Sequence, residues 1–327
     1  MKRASTLPGI VLVLAALAAH LSLFPKIADL DGFYHLGHAA RYAESSIFDT
    51  SFPWATQSVI ADRGADLWWG FHVLLVPFTA LGSVEWGVRI AALVLTMVLL
   101  TTFHGVVRRH GAPAAAWWTL AFFFAVPNVL FREVMLRPHM LSLGGALLLL
   151  SVLVRGRWWQ AVLVSAAIAW LHLSLAWVAP AIAIAYAFVR ASERALGLER
   201  EPASVAPLTA MAAAILGVAV GWLLRPHPVD TGALVGVQVI RVLAAKATEE
   251  PLTFSAELLP LPVRELVRTS WLFLLAWLGA MAAAAYGLVA GKLEGRTGER
   301  TLVVTTLVVS SAFLLLALLS ARRAMEQ

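Results

Sequence analysis

The chain has 327 residues, of which 60% are hydrophobic and 13% charged, with a net charge of +6 and no cysteine. Apolar runs of ~20 residues, the length a helix needs to cross a bilayer, recur along it and describe a polytopic helical membrane protein, not a string of soluble domains. The absent cysteines exclude disulfides, thiolate metal sites and a cysteine nucleophile. The arginines cluster at the ends of apolar runs and form no basic stripe with interleaved aromatics, so nucleic acid is not a partner.

Residues 7–24 are the first apolar run. Lys2-Arg3 ahead of it and the small residues Ala15-Ala16-Leu17-Ala18-Ala19 also fit a secretory signal. Yet its ~18 residues make about 27 Å of helix, longer than most signal cores, and the run reads as an uncleaved span. Residues 30–44 read as a helix lying at the membrane surface. In it Asp31, His35, His38 and Tyr42, spaced i, i+4, i+7 and i+11, share one face. That stripe is either a carboxylate and imidazoles lining a cleft or a solvated face. Asp29 and Asp31 sit beside a span end, where carboxylates point to function. Oxygen ligands suit Mg²⁺ or Mn²⁺ and imidazole accepts Mn²⁺, so Asp31 with His35 and His38 is a candidate ion site.

Ser51-Phe52-Pro53-Trp54 and Trp68-Trp69-Gly70-Phe71-His72 bring aromatics suited to the interface. Residues 67–81 are apolar but short and broken by Pro77, and read as an interfacial or re-entrant helix. The later spans are expected near 86–107, 113–131, 139–155, 158–173, 174–190, 205–224, 268–291 and 301–320. The whole is an all-α bundle of about nine spans, a single transmembrane domain over residues 1–327 with long outer loops at about 25–85 and 225–267. No soluble domain is expected after the last span.

Basic loops stay in the cytoplasm. With the N-terminus inside, Arg108-Arg109, Arg155 with Arg157, and the basic residues of 190–200 and 292–300 fall in the cytoplasm. All six aspartates, Asp29, Asp31, Asp49, Asp62, Asp66 and Asp230, then lie outside. Acidic groups gathered on one non-cytoplasmic face place the work there, in the plasma or inner membrane of a bacterial-type cell.

The order of a first span, Asp29-Leu30-Asp31-Gly32-Phe33-Tyr34-His35, Phe52-Pro53-Trp54, then Asp66-Leu67-Trp68-Trp69-Gly70-Phe71-His72 and Pro77-Phe78 resembles the GT-C superfamily. These are integral-membrane glycosyltransferases that use lipid-phosphate-linked sugars. Asp31-Gly32-Phe33-Tyr34 is similar to the Asp-Gly-Tyr-Tyr stretch of bacterial oligosaccharyltransferases, whose aspartate contributes to the metal and acceptor site; that role falls on Asp31. Val84-Glu85-Trp86-Gly87-Val88-Arg89 resembles its counterpart in lipid A aminoarabinose transferases. Protein mannosyltransferases belong to the same kind. The resemblance covers the first 140 or so residues best. Many members continue into further helices and a periplasmic domain, which implies for this chain a shortened or divided enzyme, or acceptor recognition on a partner subunit. No Trp-Trp-Asp motif of the oligosaccharyltransferase type is found, which disfavours a peptide acceptor.

Breaking a glycosyl phosphate bond develops positive charge at the sugar carbon and negative charge on the departing phosphate. The site therefore needs a carboxylate near the attacking hydroxyl and cations near the phosphate. Asp31 or Asp29 supplies the first, as base or as metal ligand. Arg137, Arg225, Arg322 and Arg323, at outer helix ends, are the candidate phosphate ligands, because a planar guanidinium binds two oxygens at once; snorkelling to lipid headgroups is the competing role. His139 and His227 are weaker candidates. Glu133, in the outer connection after the third span, either reaches the acceptor or metal site or forms a salt bridge with Arg132 or Arg137. Residues 235–247 and the proline-rich stretch after them could cap the cleft and gate a lipid donor. The sequence thus points to transfer of a sugar from a polyprenyl-phosphate donor to a glycan, lipid or protein acceptor. A transporter or flippase for a lipid-linked or acidic solute, or a noncatalytic membrane subunit, is the alternative.

Overall fold

A computed structural model describes residues 7–22, 26–27, 29–54, 64–124, 127–198, 204–241, 262–291 and 297–319. Among these residues the chain forms thirteen α-helices and no strand. They are α1 (Leu7–Ser22), α2 (Asp31–Glu44), α3 (Trp69–Leu75), α4 (Val84–Arg109), α5 (Ala115–Phe124), α6 (Pro127–Glu133), α7 (His139–Arg155), α8 (Trp158–Leu171), α9 (Val178–Ala195), α10 (Pro207–Leu223), α11 (Pro228–Val235), α12 (Val263–Val289) and α13 (Thr297–Leu319). Tighter 3₁₀ turns follow α3 at Val76–Ala80 and precede α9 at Leu173–Leu175.

Each expected span coincides with helix, but among the described residues fewer than nine of them are long enough to cross a bilayer alone. Four stretches are: Val84–Arg109, Leu173–Ala195, Val263–Val289 and Gly298–Leu316. A fifth arises if α10 and α11, bent by 118° at a short break, act as one broken span. The other apolar helices hold 10–17 residues. At 1.5 Å per residue, 17 residues reach only about 26 Å against a hydrocarbon core of about 30 Å. The expected span 113–131 coincides with α5 and α6, which flank residues 125–126, and these two lie outside the described residues. The expected span 158–173 stops at Leu171, because His172 takes an extended backbone (φ −149°, ψ 80°).

The two ends of the helices differ in charge. At one end, Arg109 and Arg155 each donate to the other's backbone carbonyl at 2.8 Å. There Glu193 of α9 accepts from Arg190 at 2.8 Å and from Arg300 of α13 at 2.9 Å. Toward the other end lie α2, α3 and α11 with the described aspartates. Leu36, Ala39, Phe71 and Leu75 of α2 and α3 pack with Val88, Ala91, Ala92 and Leu95 of α4 and with Met140 of α7. Leu234 of α11 packs with Ala65 and Leu67, the neighbours of Asp66. Close approach of backbones fixes two of these contacts. A Cβ at Gly70 would meet the Trp170 carbonyl oxygen, and one at Gly221 of α10 would meet the Ala166 carbonyl of α8.

Candidate functional site

The element that carries the site is α2. Asp31 stands in its first turn, where a carboxylate interacts favourably with the helix dipole. The face behind it, Gly32, His35, Leu36, His38, Ala39 and Tyr42, is buried against α3 and α4. The stripe read from the sequence is therefore real, and it is not a solvated face. His38 has no exposed surface, while the Asp31 side chain at the helix start remains 55% exposed.

What covers the stripe is Asp66 and His72, on and just before α3. The Asp66 carboxylate accepts from the Tyr42 hydroxyl at 2.8 Å, from the backbone N–H of Trp68 at 2.8 Å and from His72 Nδ1 at 2.6 Å. Nε2 of His72 lies 2.8 Å from His35 Nδ1. Since an ionised carboxylate only accepts, His72 donates through Nδ1 to Asp66, and its Nε2 accepts from His35. Nε2 of His38 stands 3.9 Å from the same Asp66 oxygen, and its ring stacks on His72 with centroids 4.4 Å apart. Arg225, itself buried, donates to the Asp66 backbone carbonyl at 2.6 Å and to the Ala169 carbonyl at 2.8 Å. It thereby ties the Asp66 loop to the end of α8.

Burial pushes the His38 pKa down to about 4, with Asp66 opposing and His72 assisting. Burial, then the neighbouring His72, holds His35 well below its usual value. Both rings are neutral at pH 7 and each keeps one lone pair. Burial alone would raise Asp66, but His72, its hydrogen bond, His38 and Arg225 outweigh it and hold the carboxyl far below the usual carboxylate range. Among the described residues, neither ring nitrogen of the fully buried His38 has a hydrogen-bond partner. An unpaired buried polar group costs about 1–3 kcal/mol. His38, Asp66 and His72 together offer three ligand atoms within 4.8 Å of one another, and the group could hold a metal ion.

A second cluster lies at the start of α2. The Arg137 guanidinium pairs through Nε with Asp29 and, at 2.8 Å, through Nη2 with Asp31. Its fork joins residues 108 positions apart in the chain. Asp29 and Arg137 are mostly covered, with side chains 13% and 12% exposed. A small cavity beside them is lined by Asp29, Lys26, Arg89, His20 and Val134.

The remaining sequence candidates divide. Glu133 is buried near that cavity, and neither carboxylate oxygen has a hydrogen-bond partner among the described residues. Its backbone carbonyl accepts from Thr96 of α4 at 2.6 Å. His139 opens α7 two residues after Arg137. Arg225 points at backbone carbonyls and not into the cavity beside Asp29. Arg322, Arg323 and most of the second long loop, residues 242–261, lie outside the described residues. Asp31, read as a metal ligand from the sequence, lies on Arg137, whereas the three-ligand group forms about two turns further along α2, around His38.

Asp66 and His72 had been legible only as one outer aspartate and one interfacial histidine. The usable signal was the pairing of two short spacings, His35-x₂-His38 and Asp66-x₅-His72, either of which alone is common. No family model matches the chain, and neither a curated protein nor a solved structure does.

Proposed function

We propose that the protein is a membrane glycosyltransferase of the GT-C kind, moving a sugar from a polyprenyl-phosphate donor to an acceptor hydroxyl on the non-cytoplasmic face of a bacterial-type inner membrane. The observation that carries the reading is the convergence of Asp29, Asp31 and Arg137, two carboxylates and a forked cation, beside a cavity that also presents Lys26 and Arg89. This is the pairing of charges that cleavage of a glycosyl phosphate needs.

The roles follow from exposure. Asp31, half open to solvent, receives the proton of the acceptor hydroxyl as its oxygen attacks the anomeric carbon and the bond to the phosphate oxygen breaks. Asp29, more deeply set on Arg137, orients the guanidinium. The negative charge that develops on the departing lipid phosphate is met by Arg137, with Lys26 and Arg89 close by. Were Mg²⁺ or Mn²⁺ bound here, the exposed Asp31 carboxylate would hold it and the ion would supply Lewis-acid charge stabilisation. Donor sugar, acceptor and any partner subunit are to be identified by assay.

The test is sugar transfer by purified protein in lipid from a set of radiolabelled polyprenyl-phosphate donors, with Mn²⁺ or EDTA in parallel. Loss of a general base lowers rates by about 10²–10⁴-fold, so Asp31→Asn is expected to lose transfer to that degree while its folding is unchanged. Full transfer by a folded Asp31→Asn protein overturns the assignment.

A carrier for a lipid-linked or acidic solute is the second reading, favoured by Glu133, a buried carboxyl without a hydrogen-bond partner among the described residues in a chain of apolar helices. Transport lost in Glu133→Gln but kept in Asp31→Asn would select it.

A further inference from the structure

We propose that His38, Asp66 and His72 form a binding site for a first-row divalent transition ion, Zn²⁺ ahead of Mn²⁺, with Mg²⁺ rejected. The inference does not rest on the glycosyltransferase reading. Three features of the side chains carry it.

The first is spacing. Ligand atoms around a tetrahedral Zn²⁺ lie about 3.4 Å apart. The observed separations from Asp66 Oδ2, 2.6 Å to His72 Nδ1 and 3.9 Å to His38 Nε2, bracket that value, and all three ligand atoms lie within 4.8 Å of one another. The second is the orphaned His38. Its ring has no exposed surface and, among the described residues, no partner on either nitrogen, yet it is stacked in place between Phe52 and His72, with ring centroids 4.5 and 4.4 Å away. A buried neutral imidazole with an unused lone pair aimed beside a carboxylate is an unfilled ligand position. The third is the support behind each ligand. His72 bound through Nδ1 keeps Nε2–H to donate to His35, which then accepts through Nδ1. The Asp66 carboxylate is oriented by the Trp68 N–H and the Tyr42 hydroxyl. Metal-binding imidazoles and carboxylates are commonly held in this manner.

Ligand chemistry selects the ion. Two imidazoles and one carboxylate suit Zn²⁺, whereas Mg²⁺ demands an octahedron of oxygens and keeps its waters. Affinity at a mixed nitrogen and oxygen site rises from Mn²⁺ to Zn²⁺. An ion here would clamp the middle of α2 to α3 and so fix the helix whose first residue is Asp31.

The experiment reads metal content, not transfer, so its failure leaves the glycosyltransferase reading standing and the converse also holds. Purified full-length protein is stripped with a chelator and equilibrated with Zn²⁺, Mn²⁺ or Mg²⁺ alone, then assayed by mass spectrometry. Expected are about one Zn²⁺ per chain, weaker Mn²⁺ and no Mg²⁺, with His38→Ala weakening Zn²⁺ by more than 100-fold. His35→Gln, which acts only through His72, is expected to weaken it by about 10–100-fold. Asp66→Asn risks the fold, so Co²⁺ substitution of the unmutated protein supplies an independent reading. Intense visible bands of a tetrahedral cobalt site support the proposal, and an octahedral, pale spectrum opposes it. Failure of the stripped protein to take up Zn²⁺, or unchanged affinity in a folded His38→Ala protein, overturns it.

Discussion

Glu133 ends α6 with its carboxyl buried, 2% exposed and without a hydrogen-bond partner among the described residues. Burial pushes its pKa up to about 9 from an ordinary 4.5, so at pH 7 it is a neutral acid. A carboxyl whose folded pKa is raised favours folding at low pH. That advantage is complete below pH 4.5 and is lost as pH rises toward 9, where ionisation must occur in an apolar setting. Stability in detergent should therefore decline across that window by an amount of the order of several kcal/mol. Glu133→Gln, a neutral near-isostere, should abolish the decline and leave stability at pH 5 within about 1 kcal/mol. Thermal unfolding of both proteins at pH 5, 7 and 9 checks this, and parallel pH profiles would show that Glu133 ionises freely. At the scale of single residues the sequence was informative in proportion to locality. The stripe Asp31, His35, His38 and Tyr42 follows from helical period alone. That the stripe is covered by Asp66 and His72 follows from the packing of α3 on α2, a contact no local period encodes.

Helix positions were legible because apolar runs are long and charged residues flank them; helix breaks and extensions were not. α9 continues to Ala195, past the expected end near residue 190, through Arg190, Ser192, Glu193 and Arg194. Charges at a run's end read as loop, yet here Glu193 is buried between Arg190 and Arg300, so the extension depends on α13 lying alongside. Glycines carry a comparable ambiguity, since one residue type serves opposite ends. In α4, Gly105 has nothing within 4 Å of an added Cβ, so Gly105→Ala should stabilise the helix by about 0.5–1 kcal/mol. In α10, the Cβ of Gly221→Ala would fall on the Ala166 backbone of α8, which has no rotamer by which to move away. Overpacking of that kind costs about 1–3 kcal/mol. Melting temperatures should move in opposite directions for the two substitutions. A shared direction would mean that the α8–α10 contact is looser than described.

At the scale of the whole molecule, the two ends of the helices are chemically distinct. Arg109, Arg155, Arg190 and Arg300 meet at one end, and Asp29, Asp31 and Asp66 surround α2 toward the other. In the orientation proposed for the transferase, the basic-loop rule would put the arginine end in the cytoplasm. Sugar transfer from a polyprenyl-phosphate donor outside the cytoplasm requires that orientation, because Asp31 and Arg137 must face the compartment that holds the acceptor. The chain contains no cysteine, so a single introduced thiol reports its own side of the membrane without background. Phe48, just after α2, is 64% exposed, and Leu196, just after α9, is 71% exposed, so a cysteine at either place is reachable. In intact cells whose outer barrier has been opened, an impermeant maleimide should label Phe48→Cys at once and Leu196→Cys only after the inner membrane is permeabilised. The reverse pattern would turn Asp31 and Arg137 toward the cytoplasm and remove the non-cytoplasmic transferase from consideration. It would leave the His38, Asp66 and His72 ion site untouched, since that site depends on side-chain chemistry and not on which way the bundle faces.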